Sequence, residues 1–189
     1  MFKVVVIGAS AGGMYTINSL LSNLPEGFSL PIVIVQHIAA TSDNYLVEFL
    51  NKHTKLTVKE VDEKEFIKKG FVYLAPPNYH ILIEEDSSLS LSAEEKVNYS
   101  RPSIDVLFLS AADAFKEKII GIILTGANDD GALGLLEIKR NDGITIVQDP
   151  YEAETPTMPS AAIKIAEPMH ILSVADICKL LIRLGSNNS

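Results

Sequence analysis

Short runs of Val, Ile and Leu alternate with amphipathic stretches from one end of the chain to the other. The runs Val4–Ile7, Ile32–Gln36, Val72–Ala75, Ile119–Leu124, Ile144–Gln148 and His170–Leu172 predict strands. They are continuous rather than alternating, so they predict burial on both faces, as in a parallel sheet. Between them, apolar residues recur at helical spacing in Met14–Leu24, Asn44–Lys52, Ile104–Lys116, Ala132–Arg140, Ser160–Ile165 and Ala175–Leu184. Strands and helices taking turns predict an α/β domain: a doubly wound, mostly parallel sheet flanked by helices. One region breaks the rhythm. After the turn Pro76-Pro77-Asn78, the short runs His80–Glu84 and Leu89–Ser92 surround Glu85-Asp86-Ser87-Ser88 and predict a β-hairpin at one edge of the sheet. Residues 1–185 read as one domain and 186–189 as a polar tail, with no repeat and no linker long enough to divide them.

Bulk properties narrow the function classes. A chain of 189 residues can bury one sizeable core. The net charge of −8 argues against a dedicated nucleic-acid surface, which needs clustered Lys and Arg. The single cysteine, Cys178, excludes an intrachain disulfide and sits in a helical apolar pattern, as core filler would. No apolar run approaches the roughly 20 residues of a spanning helix, and Phe2–Ile7 is too short for a signal peptide, so the expectation is a cytoplasmic protein without membrane insertion.

The chemistry concentrates at the ends of the predicted strands. Gly8-Ala9-Ser10-Ala11-Gly12 fits G-x-S-x-G, a pattern that holds a serine hydroxyl on a sharp strand-to-helix turn. The helix beyond it would offer unpaired N–H groups and a positive dipole end to an oxyanion. A glycine-rich turn after a first strand also opens dinucleotide-binding folds, although Ser10 stands where that fingerprint needs a glycine. A purely structural turn is the third reading. In an open α/β sheet the site forms outside the carboxyl ends of the strands. His37 follows the second strand there, and Asp129-Asp130 follow the Ile119–Leu124 strand. Ser10, His37 and an aspartate are the material of a nucleophile, a general base and an orienting carboxylate. Either aspartate is equally a cap for the helix beginning near Gly131. The other histidines compete less well: His53 reads as a surface residue, His80 as a hairpin residue near the cleft, and His170 as lying on the opposite sheet edge. Their spacing carries no metal signature.

With these residues in place, the chain resembles the catalytic domain of the bacterial chemotaxis protein-glutamate methylesterases. The resemblance rests on Gly8–Gly13, Ile34-Val35-Gln36-His37, Tyr73–His80, Arg101–Phe108, Leu124-Thr125-Gly126 with Asp130–Leu135, Gln148-Asp149 and Met158-Pro159, in family order and over nearly the whole chain. It implies Ser10 as nucleophile, His37 as general base and Asp130, rather than Asp129, as the carboxylate that orients His37. It implies hydrolysis of glutamate methyl esters on the signalling helices of methyl-accepting chemoreceptors, with methanol released, and deamidation of glutamine in some members. No cofactor or metal is implied. Ala11 and Ala127 depart from the family, which often has Thr or Ser and Met there; Ala127 would widen the site. Family members usually carry a receiver domain; none is expected within this chain, which leaves regulation either to a separate protein or absent. A nucleotide-binding module and an inactive scaffold of the same fold are the alternatives. The nucleotide reading requires an acidic ribose ligand after the second strand, where Gln36-His37 stand.

Overall fold

The computed structural model describes residues 2–37 and 45–186. Its first strand, β1 (Val4–Ala9), is buried at every position. The cause is the two-residue period of a strand combined with helices on both sides. Val5, Ile7 and Ala9 face one apolar cluster; Val4 and Val6 face the other. The chain continues through α1 (Gly13–Ser22), β2 (Ile32–Gln36), α2 (Tyr45–His53), β3 (Thr57–Glu60), β4 (Phe71–Leu74), β5 (His80–Ile83) and β6 (Leu89–Ser92). It is completed by α3 (Ile104–Phe115), β7 (Ile119–Ile123), α4 (Ala132–Arg140), β8 (Ile144–Gln148), α5 (Thr157–Ala166), β9 (His170–Leu172) and α6 (Val174–Ser186).

Seven strands form one sheet in the order β3-β4-β2-β1-β7-β8-β9. Every neighbouring pair is parallel. Ile17, Leu20 and Leu21 of α1, Leu50 of α2, and Ile177, Cys178 and Leu181 of α6 cover one face. Ile104, Leu107 and Phe108 of α3, Leu135 and Ile138 of α4, and Met158 and Ala162 of α5 cover the other. Burial pushes the Cys178 thiol up, as expected of an inert core cysteine. Strand order reverses between β1 and β7, so their carboxyl ends open the crevice in which sites of this architecture form.

Two features differ from the sequence expectation in detail. β3 was not expected: Thr57–Glu60 has only Val58 fully buried, because an edge strand meets the core on one side only. The hairpin β5–β6 forms in antiparallel register but as a two-stranded sheet of its own. Ile81, Ile83 and Leu89 add it to the α3 side of the core, and Ser110 Oγ accepts a hydrogen bond from Ile83 N–H (3.1 Å). The predicted start of α2 at Asn44 lies outside the described residues.

Candidate active site

Ser10 lies in the turn between β1 and α1, and its backbone is held from both flanks. Its N–H donates to Thr125 O (2.9 Å), and its carbonyl accepts from Gly13 N–H (2.8 Å) and Gln36 Nε2 (2.8 Å). Thr125 Oγ1 adds a bond to Ala11 O (2.9 Å). Gly12 caps α1 with φ +77°, a left-handed conformation that costs a glycine little. A Cβ there would also stand 2.9 Å from Glu154 Oε2, so a larger residue is excluded twice. The N–H groups of Ala11 and Gly12 have no partner among the described residues, and they sit at the positive end of α1. The Ser10 hydroxyl likewise makes no hydrogen bond among the described residues.

His37 comes to the same edge because β2 runs parallel to β1 with Gln36 opposite Ala9. His37 N–H donates to Ala9 O (3.0 Å), extending the ladder by one residue and setting His37 beside Ser10. Its ring Nε2 lies 2.9 Å from Asp130 Oδ2. The His37 side chain is 14% exposed and that of Asp130 is 0% exposed. Asn128 Nδ2 lies 3.5 Å from the other ring nitrogen, Nδ1. Of the two candidate aspartates, Asp130 touches His37, whereas Asp129 is exposed. The structure therefore joins His37 to Asp130 and brings both to the Ser10 turn, without a direct Ser10–His37 hydrogen bond.

Asp130 is buried, and burial raises a carboxyl pKa. Hydrogen bonds from His37, the Ile104 and Asp105 N–H groups and the Ser103 hydroxyl outweigh burial and hold it below the ordinary value. These donors belong to the N-terminus of α3, whose cap is Ser103: Ile104 N–H to Oδ2 (2.7 Å), Asp105 N–H to Oδ1 (3.1 Å) and Ser103 Oγ to Oδ1 (2.8 Å). An ionised carboxylate only accepts, so in neutral His37 the proton is on Nε2 and the lone pair on Nδ1. Gly131 starts α4 at φ +94°, and a Cβ there would come 2.6 Å from Ile123 Cδ1, so the sharp exit after Asp130 requires glycine.

A second buried carboxylate mirrors the first. Asp105, in the first turn of α3, accepts from Gly134 N–H of α4 (2.7 Å) and from Asn98 Nδ2 (3.1 Å). Burial, helped by the Asp130 and Asp129 charges and opposed by Gly134 and Gly131 N–H, pushes it up to about 6. Asp130, just before α4, thus caps α3, while Asp105 in α3 caps α4.

The remaining histidines are placed elsewhere. His80 is buried between Glu95 O (3.0 Å) and Ser103 N–H (3.1 Å), where it supports the cap of α3. His53 is exposed and bonds Phe49 O, and His170 opens β9. Among the described residues no group of His, Cys, Asp and Glu is arranged to hold a metal ion. Sequence reasoning gave no site role to Gln36, Ser103, Asp105, Thr125 or Gln148, whose amide oxygen accepts Thr125 N–H (2.8 Å). The one signal for the glutamines was a polar residue closing an otherwise apolar strand.

Comparison with known proteins places the chain in a family. A Leptospira interrogans protein is 51% identical over 187 residues, covering 99% of this chain and 97% of that protein. The Thermotoga maritima protein-glutamate methylesterase/protein-glutamine glutaminase is 35% identical over 185 residues, 96% of this chain and 54% of that protein. The crystal structure of the Thermotoga maritima CheB methylesterase catalytic domain superposes with a TM-score of 0.92 at 34% identity, covering 97% of this chain and 99% of that one. The CheB methylesterase profile matches residues 5–181, and with that span covering nearly all of the sheet and its helices, the chain belongs to the CheB methylesterase family.

Proposed function

We propose that this chain is a serine hydrolase that demethylates glutamate γ-methyl esters on the signalling helices of chemoreceptors in the cytoplasm, and that it also deamidates glutamine. The observation that carries the reading is the 2.9 Å contact of His37 Nε2 with the buried Asp130, set beside a serine turn with two unpaired N–H groups. His37 Nδ1, the nitrogen with the lone pair, takes the Ser10 proton as Oγ attacks the γ-carbonyl. The Ala11 and Gly12 N–H groups meet the oxyanion. The C–OCH3 bond breaks, the leaving oxygen takes the proton from Nδ1, and methanol departs. Water then adds to the glutamyl ester by the same route and releases the glutamate carboxylate and Ser10. With a glutamine substrate, ammonia replaces methanol. Asp130 keeps the proton on Nε2 and stabilises the imidazolium throughout. The family membership supports this activity; the roles of Ser10, His37 and Asp130 are the reading offered here.

Methanol release from methylated receptor fragments tests it. Ser10→Ala removes one hydroxyl that makes no hydrogen bond among the described residues, so the fold should persist. Turnover should fall by on the order of 10⁴-fold or more. Near-normal release by the variant would remove Ser10 from the chemistry.

A further inference from the structure

We propose that Gln36 is a positioning residue whose side-chain amide fixes the Ser10 turn to the His37 strand end, so that the reactivity of Ser10 depends on it. The proposal rests on the reading of Ser10 and His37 as nucleophile and base. Gln36 closes β2 and is 7% exposed. Its Nε2 donates to Ser10 O (2.8 Å) and to His37 O (3.0 Å). One nitrogen therefore bridges the carbonyls of the two residues whose side chains must meet, across the exits of two neighbouring strands. Both of its hydrogens are used.

Gly13 is shaped to this amide. A Cβ built on Gly13 would overlap Gln36 Oε1 and stand 2.8 Å from the Ala9 Cβ, so only glycine admits the amide there. Oε1 itself has no hydrogen-bond partner among the described residues. A side chain present only to fill space would be better apolar, because a buried polar atom without a partner is unfavourable. An apolar side chain of the same length would leave both carbonyls without this donor. An ionised carboxylate would face both carbonyl oxygens with like partial charge. Of these three chemistries only the amide offers two N–H groups from one atom. The Ser10 peptide, held by Thr125 O on the other flank, is thereby fixed from both sides. That matters because misplacing a reacting atom by about 1 Å can cost about 100-fold in rate.

The test reads Ser10 directly, as the rate of covalent labelling by a fluorophosphonate across a range of pH, with Ser10→Ala as the control. The wild-type labelling profile across pH is the reference. Gln36→Met should label more slowly by up to about 100-fold with the same pH shape. Gln36→Glu should behave differently. Protonated, it can donate one hydrogen bond and keep part of the rate. As pH rises the buried carboxyl ionises against the two carbonyls, so labelling should acquire a descending limb absent from wild type. His37 and, over Gly12, Glu154 are titratable groups on the flanking segments; both are common to wild type and variant, so the added limb belongs to residue 36. Recovery of the rate when the same Gln36→Glu sample is returned to low pH separates this from misfolding, and it decides the matter if Gln36→Met does not fold. A Gln36→Glu profile of wild-type shape, or a folded Gln36→Met labelled at the wild-type rate, overturns the clamp while a silent Ser10→Ala leaves the nucleophile reading intact. Labelling that survives in Ser10→Ala overturns both.

Discussion

Asp130 accepts hydrogen bonds from four donors, and only one of them belongs to a proposed catalytic residue. The others bind the carboxylate to the start of α3, two through backbone N–H groups and one through the buried Ser103 hydroxyl. Asp130→Asn keeps the shape but turns an NH2 group towards donors. It should upset the His37 tautomer and lower kcat by up to about 10⁴-fold. Asp129→Asn, at an exposed position, should change kcat little. Steady-state methanol assays of both variants check this, and the opposite ranking would move the orienting role to Asp129. At this scale, Ser10 was a candidate through the glycine-flanked turn that holds it, and His37 through its place directly after an apolar strand run. It did not separate Asp129 from Asp130 without the resemblance, because neighbouring residues in a loop differ by burial, which spacing does not reveal. Gln36 stayed unseen as a site residue because its partners are carbonyls, and carbonyls have no sequence signature.

Between elements, α3 and α4 exchange caps through Asp130 and Asp105, two carboxylates whose ionisation responds oppositely to the fold. Burial pushes the Asp105 carboxyl up to about 6, above its ordinary value, so the native state holds its proton more tightly than the unfolded chain does. Its contribution to stability is fully present below the unfolded value and is lost as pH rises through about 6. Asp130 is lowered, so its contribution is present above the unfolded value and is lost as pH falls through the still lower folded value. Asp105→Asn should therefore flatten the decline in stability between about pH 4 and 7, a difference of up to roughly 3 kcal/mol. Chemical denaturation at a series of pH values measures it; an unchanged slope would mean that Asp105 titrates alike in both states. Element boundaries erred where local rules allow two answers. The expected helix at Ser160 begins at Thr157 in the structure, because Pro159 falls in the first turn, where its missing N–H is not needed. β3 escaped notice because a strand at the edge of the sheet does not require the Val and Ile runs that marked its neighbours.

Across the whole molecule, continuous apolar runs announced a buried parallel sheet, and the helices between them announced two covering layers. The order of strands was not legible, nor which helix lies on which face, because both depend on contacts between distant segments. The exchanged caps have a consequence at this scale. Neither α3 nor α4 can complete its first turn by itself: the amides of Ile104 and Asp105 wait on a residue before α4, and that of Gly134 waits on a residue within α3. Separating the two helices exposes all three amides together and leaves the carboxylate that His37 contacts without its three donors from the start of α3. In deuterium exchange under native conditions, Ile104, Asp105 and Gly134 should report one common opening free energy. Much faster exchange at Gly134 alone would show that α4 frays independently. Where they open as one, and with Ser10, His37 and Asp130 in the roles proposed above, loosening this half of the protein would silence the serine before the chain unfolds.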